Sequence, residues 1–480
     1  SAASDVYKRQ KLTIPWLKKH LNTKIPLDQI VGALTNIGLE VEEVLKPNTN
    51  LKLFKIAKIL KTEKHPNADR LKVCDVDIGG KVERVVCGAP NARSGLLTVY
   101  ASPGAEIPKN GMKLVVAQIR GVESRGMLCS ESELGVSNAS EGIIEIKDKK
   151  FDESFFKHSD EVIDISITPN RSDCLGINGI ARDLSAYGLG KLIEKKKVKL
   201  KEQSKQKVKV EIKKNSGCNT FGSLFIEGIK NCESPKWLKK DLESLGLKPI
   251  SAVVDVTNYV MFDLNRPMHA YDSDKINGNI IVRESKNGES FEALDDKKYN
   301  VPKGACLITD QKKILGLGGI IGGQSSAIDY DTKNIVLEAA AFDPVKIAKI
   351  SKQLGIITDA KFRFERGVDP NSIENGLKLA AKLIQEICGG KTSKINITGN
   401  TKFKNIKIKF DIKNFEKLIG FAVSSKDCQK ILEKLGFKVK IKKQLLDIYV
   451  PSWRPDVNQE ADIIEAVSYT HLTLPTRCLG

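Results

Sequence analysis

The chain has 480 residues with 78 Lys+Arg against 59 Asp+Glu, a formal net charge of +19 and a pI near 9.3. That length suits roughly three domains, and no apolar run approaches the ~20 residues of a membrane span, which excludes a membrane-spanning chain. The charge points to an anionic partner such as nucleic acid, or to a Lys-rich solvated surface; composition alone does not choose between them.

Ser1–Gln10 and about Val467–Gly480 continue no pattern in their neighbours and read as adapter-like scars flanking a fragment, outside the fold at 1–10 and 467–480. Thr13-Ile-Pro15-Trp16 opens a first helix, with Thr13 as its cap. A second helix runs from Leu27 to Ile37 and stops at Gly38, and Leu39–Val44 alternates as a strand. From about Leu51 to Ile146 short strands dominate, among them Leu71–Val76, Arg84–Cys87, Leu97–Ala101 and Leu114–Ile119, as in a small closed barrel of the OB type. Glu194–Lys214 is a Lys/Glu-dense linker plus an exposed strand. An α+β region over 215–400 closes on an amphipathic helix started by Asp369-Pro370 and stopped by Gly389-Gly390. A small unit follows: strand Ile406–Phe410, helix Ser425–Leu435, strands Lys438–Ile441 and Leu446–Val450.

Several motifs fail on inspection. The glycines at 316–323 miss the dinucleotide fingerprint because Ile321 stands where its last glycine belongs, and Gly390-Lys391-Thr392 lacks the opening glycine of a P-loop, with Gln385 there instead. The ten cysteines form no C-x-x-C, which removes the usual zinc knuckle and points to reduced, cytoplasmic thiols. Five histidines support nucleophilic triads poorly; His269, after Pro267-Met268, reads by itself as a structural residue.

The order of segments is more telling. His65-Pro-Asn-Ala-Asp-Arg-Leu71, Val86-Cys-Gly-Ala-Pro-Asn91 and Arg120-Gly-Val-Glu-Ser-Arg-Gly-Met-Leu-Cys-Ser130 resemble the tRNA-binding OB module of several synthetases. Before them stand Pro15-Trp-Leu and Gly38-Leu-Glu-Val-Glu-Glu43. After them come Ile167-Thr-Pro-Asn-Arg-Ser-Asp173, Val254-Asp-Val-Thr-Asn-Tyr259, Arg363-Phe-Glu-Arg-Gly-Val-Asp-Pro370 and Pro451-Ser-Trp-Arg-Pro-Asp456. Over residues 11–466 the series resembles the bacterial phenylalanyl-tRNA synthetase β-subunit family, from its N-terminus to its B5 domain.

That resemblance implies an α+β multidomain chain. An OB-fold module (48–155) would be inserted in an N-terminal α/β domain (11–47 with 156–200), followed by a B3/B4 editing domain (206–400) and a truncated B5 domain (402–466). It implies an α2β2 ligase in which an α subunit charges tRNA(Phe) with phenylalanine using ATP and Mg²⁺, while the β subunit binds tRNA and hydrolyses mischarged Tyr-tRNA(Phe). Such a second site has a physical reason: an apolar pocket rejects an added hydroxyl weakly, whereas a site that hydrogen-bonds it selects strongly.

The family's editing pocket, carried over, is Thr257, Asn258, His269, Gly322, Glu338, Thr358 and Ala360. Glu338 would accept the tyrosine hydroxyl, as carboxylates suit phenolic donors. Gly322 and Ala360 would keep room by being small. His269, Thr257 and Asn258 would position the ester and a water, with His269 either a general base or an orienting group. Asp456, Asp462 and Glu465 would be the remnant of a magnesium site whose fourth position here is Ala466. A non-catalytic tRNA-binding protein built on the OB module, and a DNA-binding protein using 402–466, are the rival readings.

Overall fold

Strand Arg9–Thr13 runs antiparallel to Val162–Ser166, whose other edge pairs with Glu40–Leu45, so one small sheet is built from both sides of a long intervening segment. That segment, Lys46–Glu161, is a compact unit of its own, and the rest of the chain forms a second. The structure is a computed structural model that describes residues 9–45, 53–134, 140–146, 160–195, 198–400, 406–442 and 444–471.

The tails set apart at the sequence level reach further into the fold than expected. Residues 1–8 and 472–480 lie outside the described residues. Gln10, however, is buried, and its amide oxygen accepts from Arg363 at 3.1 Å. Helix Glu460–His471 runs past 466 and buries Val467. A strand and a helix each continue through the supposed boundary because their next residues complete a pairing or a core face.

In the Lys46–Glu161 unit a five-stranded sheet has the order Met127–Leu128, Leu97–Ala101, Phe54–His65, Ala68–Asp77, Val82–Cys87. It curls until its ends meet: the Arg125 amide donates to Arg84 O (2.8 Å) and the Val86 amide to Ser124 Oγ (3.0 Å). Closure of this kind removes the exposed edges. The twelve-residue strand Phe54–His65 was not anticipated, because the exposed lysines at 55, 58, 61 and 64 recur every third residue and hide the two-residue alternation of a strand, which bulges here between Ile59 and Lys61. Within the expected strand Leu114–Ile119, only Ala117–Ile119 is a strand, in a hairpin with Val122–Ser124.

In the other unit Thr13 caps the four-residue helix Ile14–Leu17, accepting from the Trp16 amide at 3.3 Å. The Trp16 indole is fully buried, stacks on Tyr259 at 4.7 Å and donates to Asp263 Oδ1 at 2.8 Å. Two sheets then form a sandwich. One runs His269–Asp272, Asn334–Phe342, Cys218–Glu227 and Lys391–Thr392, with Asn396–Gly399 also on Cys218–Glu227. The other runs Val210–Ile212, Ile280–Glu284, Cys306–Thr309, Ile314–Leu317 and Ile321–Gly322. Val210–Ile212, within the stretch read as a linker plus an exposed strand, is an edge strand parallel to Ile280–Val282.

Residues alternate across the central strand Asn334–Phe342, as a pleat requires. Val336, Ala340 and Phe342 join the core between the two sheets, with Phe221, Phe225, Tyr271 and Leu307. Ile335, Leu337 and Ala339 join a second core against helices Ala252–Leu264 and Ile373–Cys388, through Val256, Val260, Leu377 and Ile384. The last subdomain is a three-stranded sheet in the order Lys407–Asp411, Leu445–Tyr449, Lys438–Lys442, packed with helices Ile412–Ile419, Ser425–Lys434 and Glu460–His471. Among the described residues no helix is long and apolar enough to cross a membrane.

Candidate functional site

His269 and Glu338 are direct partners on adjacent antiparallel strands, and Ser223 faces Glu338 from the other side. Even-numbered side chains of the central strand point into the core between the sheets, so Glu338 is a carboxyl among apolar neighbours, 5% exposed. Burial pushes it up to about 7. The Tyr271 hydroxyl donates to its Oε2 and acts against that rise.

His269 also pays for burial, in the opposite sense: desolvation disfavours its cation and lowers it to about 4, leaving a neutral imidazole at pH 7. Its Nε2 is buried and has no hydrogen-bond partner among the described residues. Such atoms are rare in folded proteins and attract a polar group. The ring lies edge-on to Tyr271, centroids 4.5 Å apart.

Gly322 ends the short strand Ile321–Gly322 against this ring. A Cβ there would stand 2.5 Å from His269 Cε1 and 2.8 Å from Leu294 Cδ1, closer than atoms can approach, so glycine is required by space. Thr358 caps helix Asp359–Phe364, accepting from the Lys361 amide (3.1 Å) and donating to Ile320 O (2.7 Å), which ties that helix to the turn before Gly322. Ala360, in the first turn of that helix, touches both cores.

His269, Glu338 and Gly322 are thus brought together, with Thr358 and Ala360 linked through Ile320. Thr257 and Asn258 stand differently. They lie on helix Ala252–Leu264, whose apolar side packs in the helical core on the sheet's other face, and the Thr257 hydroxyl is used within the helix, donating to Val254 O at 2.7 Å. No hydrogen bond joins either residue to His269 or Glu338 among the described residues.

Tyr271 was overlooked at the sequence level. The available signal was its place two residues after His269, which on a strand puts both on one face.

The acids expected to hold magnesium do not form a site. Asp456 is ion-paired with Arg454 at 2.7 Å. Asp462 Oδ2 accepts the Asn458 and Gln459 amides (2.8 and 3.0 Å), closing the start of its own helix. Glu465 accepts from Asn170 Nδ2 at 3.3 Å. Magnesium needs oxygens converging near ~2.1 Å, and these carboxylates do not converge: the described residues bring only Asp173, Cys174 and Asp183 together at ligand spacing. That trio does not fit a cation either. Arg171 pairs with both aspartates, Arg182 with Asp173 at 2.7 Å, and burial holds the Cys174 thiol protonated. A cavity of about 100 Å³ lies beside these groups, between Gly38, Asn170, Arg171, Glu465 and Tyr469, away from His269.

In the barrel unit the His65 motif has a structural explanation. The Asn67 amide donates to His65 Nδ1 (3.0 Å), so Nε2 carries the proton and donates to Ile119 O (2.9 Å); Asn67 Nδ2 donates to Arg120 O (3.0 Å). Together they pin the 117–124 hairpin to the strand tip. Lys55, Lys58, Lys64, Arg70 and Arg120 are exposed and carry no ion pair among the described residues, a surface suited to phosphates.

Comparison with known proteins agrees with this layout. Residues 54–151 match a tRNA binding domain family, 217–389 the B3/4 domain and 408–470 the tRNA synthetase B5 domain. The phenylalanine–tRNA ligase beta subunit of Rhodopseudomonas palustris is 44% identical over 463 residues, 95% of this chain and 58% of that protein. That of Mesorhizobium japonicum is 44% identical over 467 residues, 96% of this chain and 58% of its own length. A solved N-terminal fragment of a phenylalanyl-tRNA synthetase beta subunit from Pyrococcus horikoshii has a TM-score of 0.35 at 16% identity over 65% of this chain and 88% of that one, too loose a likeness to bear on the fold. The chain spans just over half the length of these curated relatives, and across that span it belongs to the phenylalanine–tRNA ligase beta-subunit family.

Proposed function

We propose that this chain supplies the tRNA-binding and proofreading part of a cytoplasmic phenylalanine–tRNA ligase, working beside an α subunit that uses ATP to charge tRNA(Phe), in an α2β2 assembly. The reading rests on one observation above the others: a buried carboxyl and a neutral imidazole with a buried, unpartnered Nε2 face each other across two strands, with a glycine holding space against the imidazole. Glu338 accepts the phenol of a misattached tyrosine. His269 Nε2 holds the hydrolytic water. That water attacks the ester carbonyl carbon, the bond from this carbon to the ribose oxygen breaks, and the water's proton ends on the ribose oxygen, releasing tyrosine and free tRNA. Neutral His269 is able to carry that proton in transit. Thr257 and Asn258, expected to help position the ester and the water, share no hydrogen bond with this pair among the described residues and are given no step here.

Magnesium has no step in this hydrolysis, and the acids at 456, 462 and 465 are assigned to structure. A purely tRNA-binding protein would need the barrel unit but gains nothing from burying Glu338 and His269. The test is Glu338→Ala in the ligase completed with its remaining domains and α partner. Hydrolysis of Tyr-tRNA(Phe) should fall roughly 10–150-fold relative to Phe-tRNA(Phe), the equivalent of ~1.5–3 kcal/mol for a hydrogen bond to a charged group. An unchanged ratio removes Glu338 from the assignment.

A further inference from the structure

Tyr271 and Glu338, 67 residues apart, are joined by a buried hydrogen bond that belongs to none of the roles given above. The Tyr271 ring is 1% exposed, within the core between the sheets, and edge-on to His269. Its hydroxyl takes Glu338 Oε2, and among the described residues the Glu338 carboxylate receives no other hydrogen bond, so Oε1 is uncommitted. The carboxylate therefore cannot rotate without breaking a bond in an apolar surrounding, where a lost partner is costly. We propose that Tyr271 is a positioning residue for tyrosine specificity: it fixes one oxygen of Glu338 and leaves the other to accept the phenol of the mischarged ester.

This deepens the proofreading reading and rests on it. The second effect of the bond is on charge. Burial favours the protonated carboxyl, and Tyr271 opposes it by donating to the ionised form. Around Glu338 stand Tyr271 and His269 on the strand at one side, Ser223 on the other, and the thiols Cys218 and Cys306, both held protonated by burial. No cation among the described residues shares the work of keeping Glu338 ionised. Without the Tyr271 hydroxyl, Glu338 should ionise only at higher pH.

The experiment uses the chain in the same completed ligase as the test above, with Tyr-tRNA(Phe) and Phe-tRNA(Phe), measuring both hydrolysis rates from about pH 6 to 8.5, with spontaneous deacylation subtracted. Taking the ratio of the two cancels His269, which serves both esters. In the unmodified chain the tyrosine preference should grow as pH rises through about 7. Tyr271→Phe, which keeps the ring against His269, should move that rise up by about one to two pH units and cut the preference near neutrality about tenfold. Glu338→Gln should make the ratio independent of pH, and adding Tyr271→Phe to it should change nothing further. An unshifted pH profile in Tyr271→Phe, or an effect of equal size in the Glu338→Gln background, overturns the assignment. So does a raised tyrosine preference, which would mean that Tyr271 competes with substrate for Glu338. An unmodified chain with no tyrosine preference at any pH overturns the proofreading reading itself, and this one with it.

Discussion

His269 and Glu338 lie directly opposite each other on neighbouring strands with no hydrogen bond between their side chains, and burial moves the two in opposite directions, to about 4 and about 7. Stability should record both. Glu338 binds its proton more tightly folded than unfolded, so its contribution is full below about pH 4.5 and is lost as pH rises to about 7. His269 binds its proton less tightly folded, so its contribution is full above about 6.5 and is lost as pH falls to about 4. Each effect is on the order of 3 kcal/mol, and between about pH 4.5 and 6.5 they largely cancel. Urea denaturation across that range should show a shallow pH dependence in the unmodified chain. Glu338→Gln should leave stability rising with pH, and His269→Gln should leave it falling. Parallel profiles for the two variants would contradict the opposed titrations.

Gly322→Ala should damage the pocket through space alone. Its Cβ must displace the His269 ring or the Leu294 side chain. Overpacking of this kind costs about 1–3 kcal/mol. Denaturant midpoints should drop accordingly, and hydrolysis of Tyr-tRNA(Phe) should fall with tRNA affinity unaltered. Full activity would place the substrate elsewhere.

RNA binding should be strongly salt-dependent. With a net charge of +19 and Lys55, Lys58, Lys64, Arg70 and Arg120 exposed on the barrel unit, the log of the association constant for tRNA should fall linearly with log salt. Replacing Lys58 and Lys64 by Gln should flatten the slope by ~0.7–0.9 for each phosphate that is no longer neutralised. A slope that does not change would exclude those two lysines from the RNA-binding surface.

Magnesium should not alter the B5 region. Asp462→Ala removes the acceptor of two amides and should cost about 1 kcal/mol, with or without millimolar magnesium. Ala466 is buried in the subdomain core, so Ala466→Glu places a carboxylate there and should lower the melting temperature rather than create a site. A magnesium-dependent rise in melting temperature for either chain would show the acids rearranging around the ion.

What was legible in the chain depended on how local the signal was. Thr13 with Pro15, and Asp369-Pro370 with Gly389, are start and stop signals read within a few residues, and both mark the expected helices. Asp411 and Gly420 bracket helix Ile412–Ile419 in the same way and were passed over, although Asp411 accepts from the Lys413 amide at 3.0 Å. Glu338 lies in an apolar run that reads only as a buried strand; the family resemblance singled it out, and no spacing did. Its bond to Tyr271 was out of reach, because it depends on the register between two strands far apart in sequence, and a slip of one residue would dissolve it.

The central strand has a consequence for how this protein can vary. Because its odd residues (335, 337, 339) support the helical layer and its even residues (336, 338, 340) line the inter-sheet core, substitutions on one side should be buffered from the other, and mutational tolerance along the strand should alternate with a period of two. Length is under harsher control. One residue inserted or deleted here would exchange the two sets, turning Glu338 toward Leu377 and Ile384 and bringing Leu337 opposite His269. Lineages carrying this domain are therefore free to retune selectivity by point substitution, while the spacing of these nine positions stays closed to change.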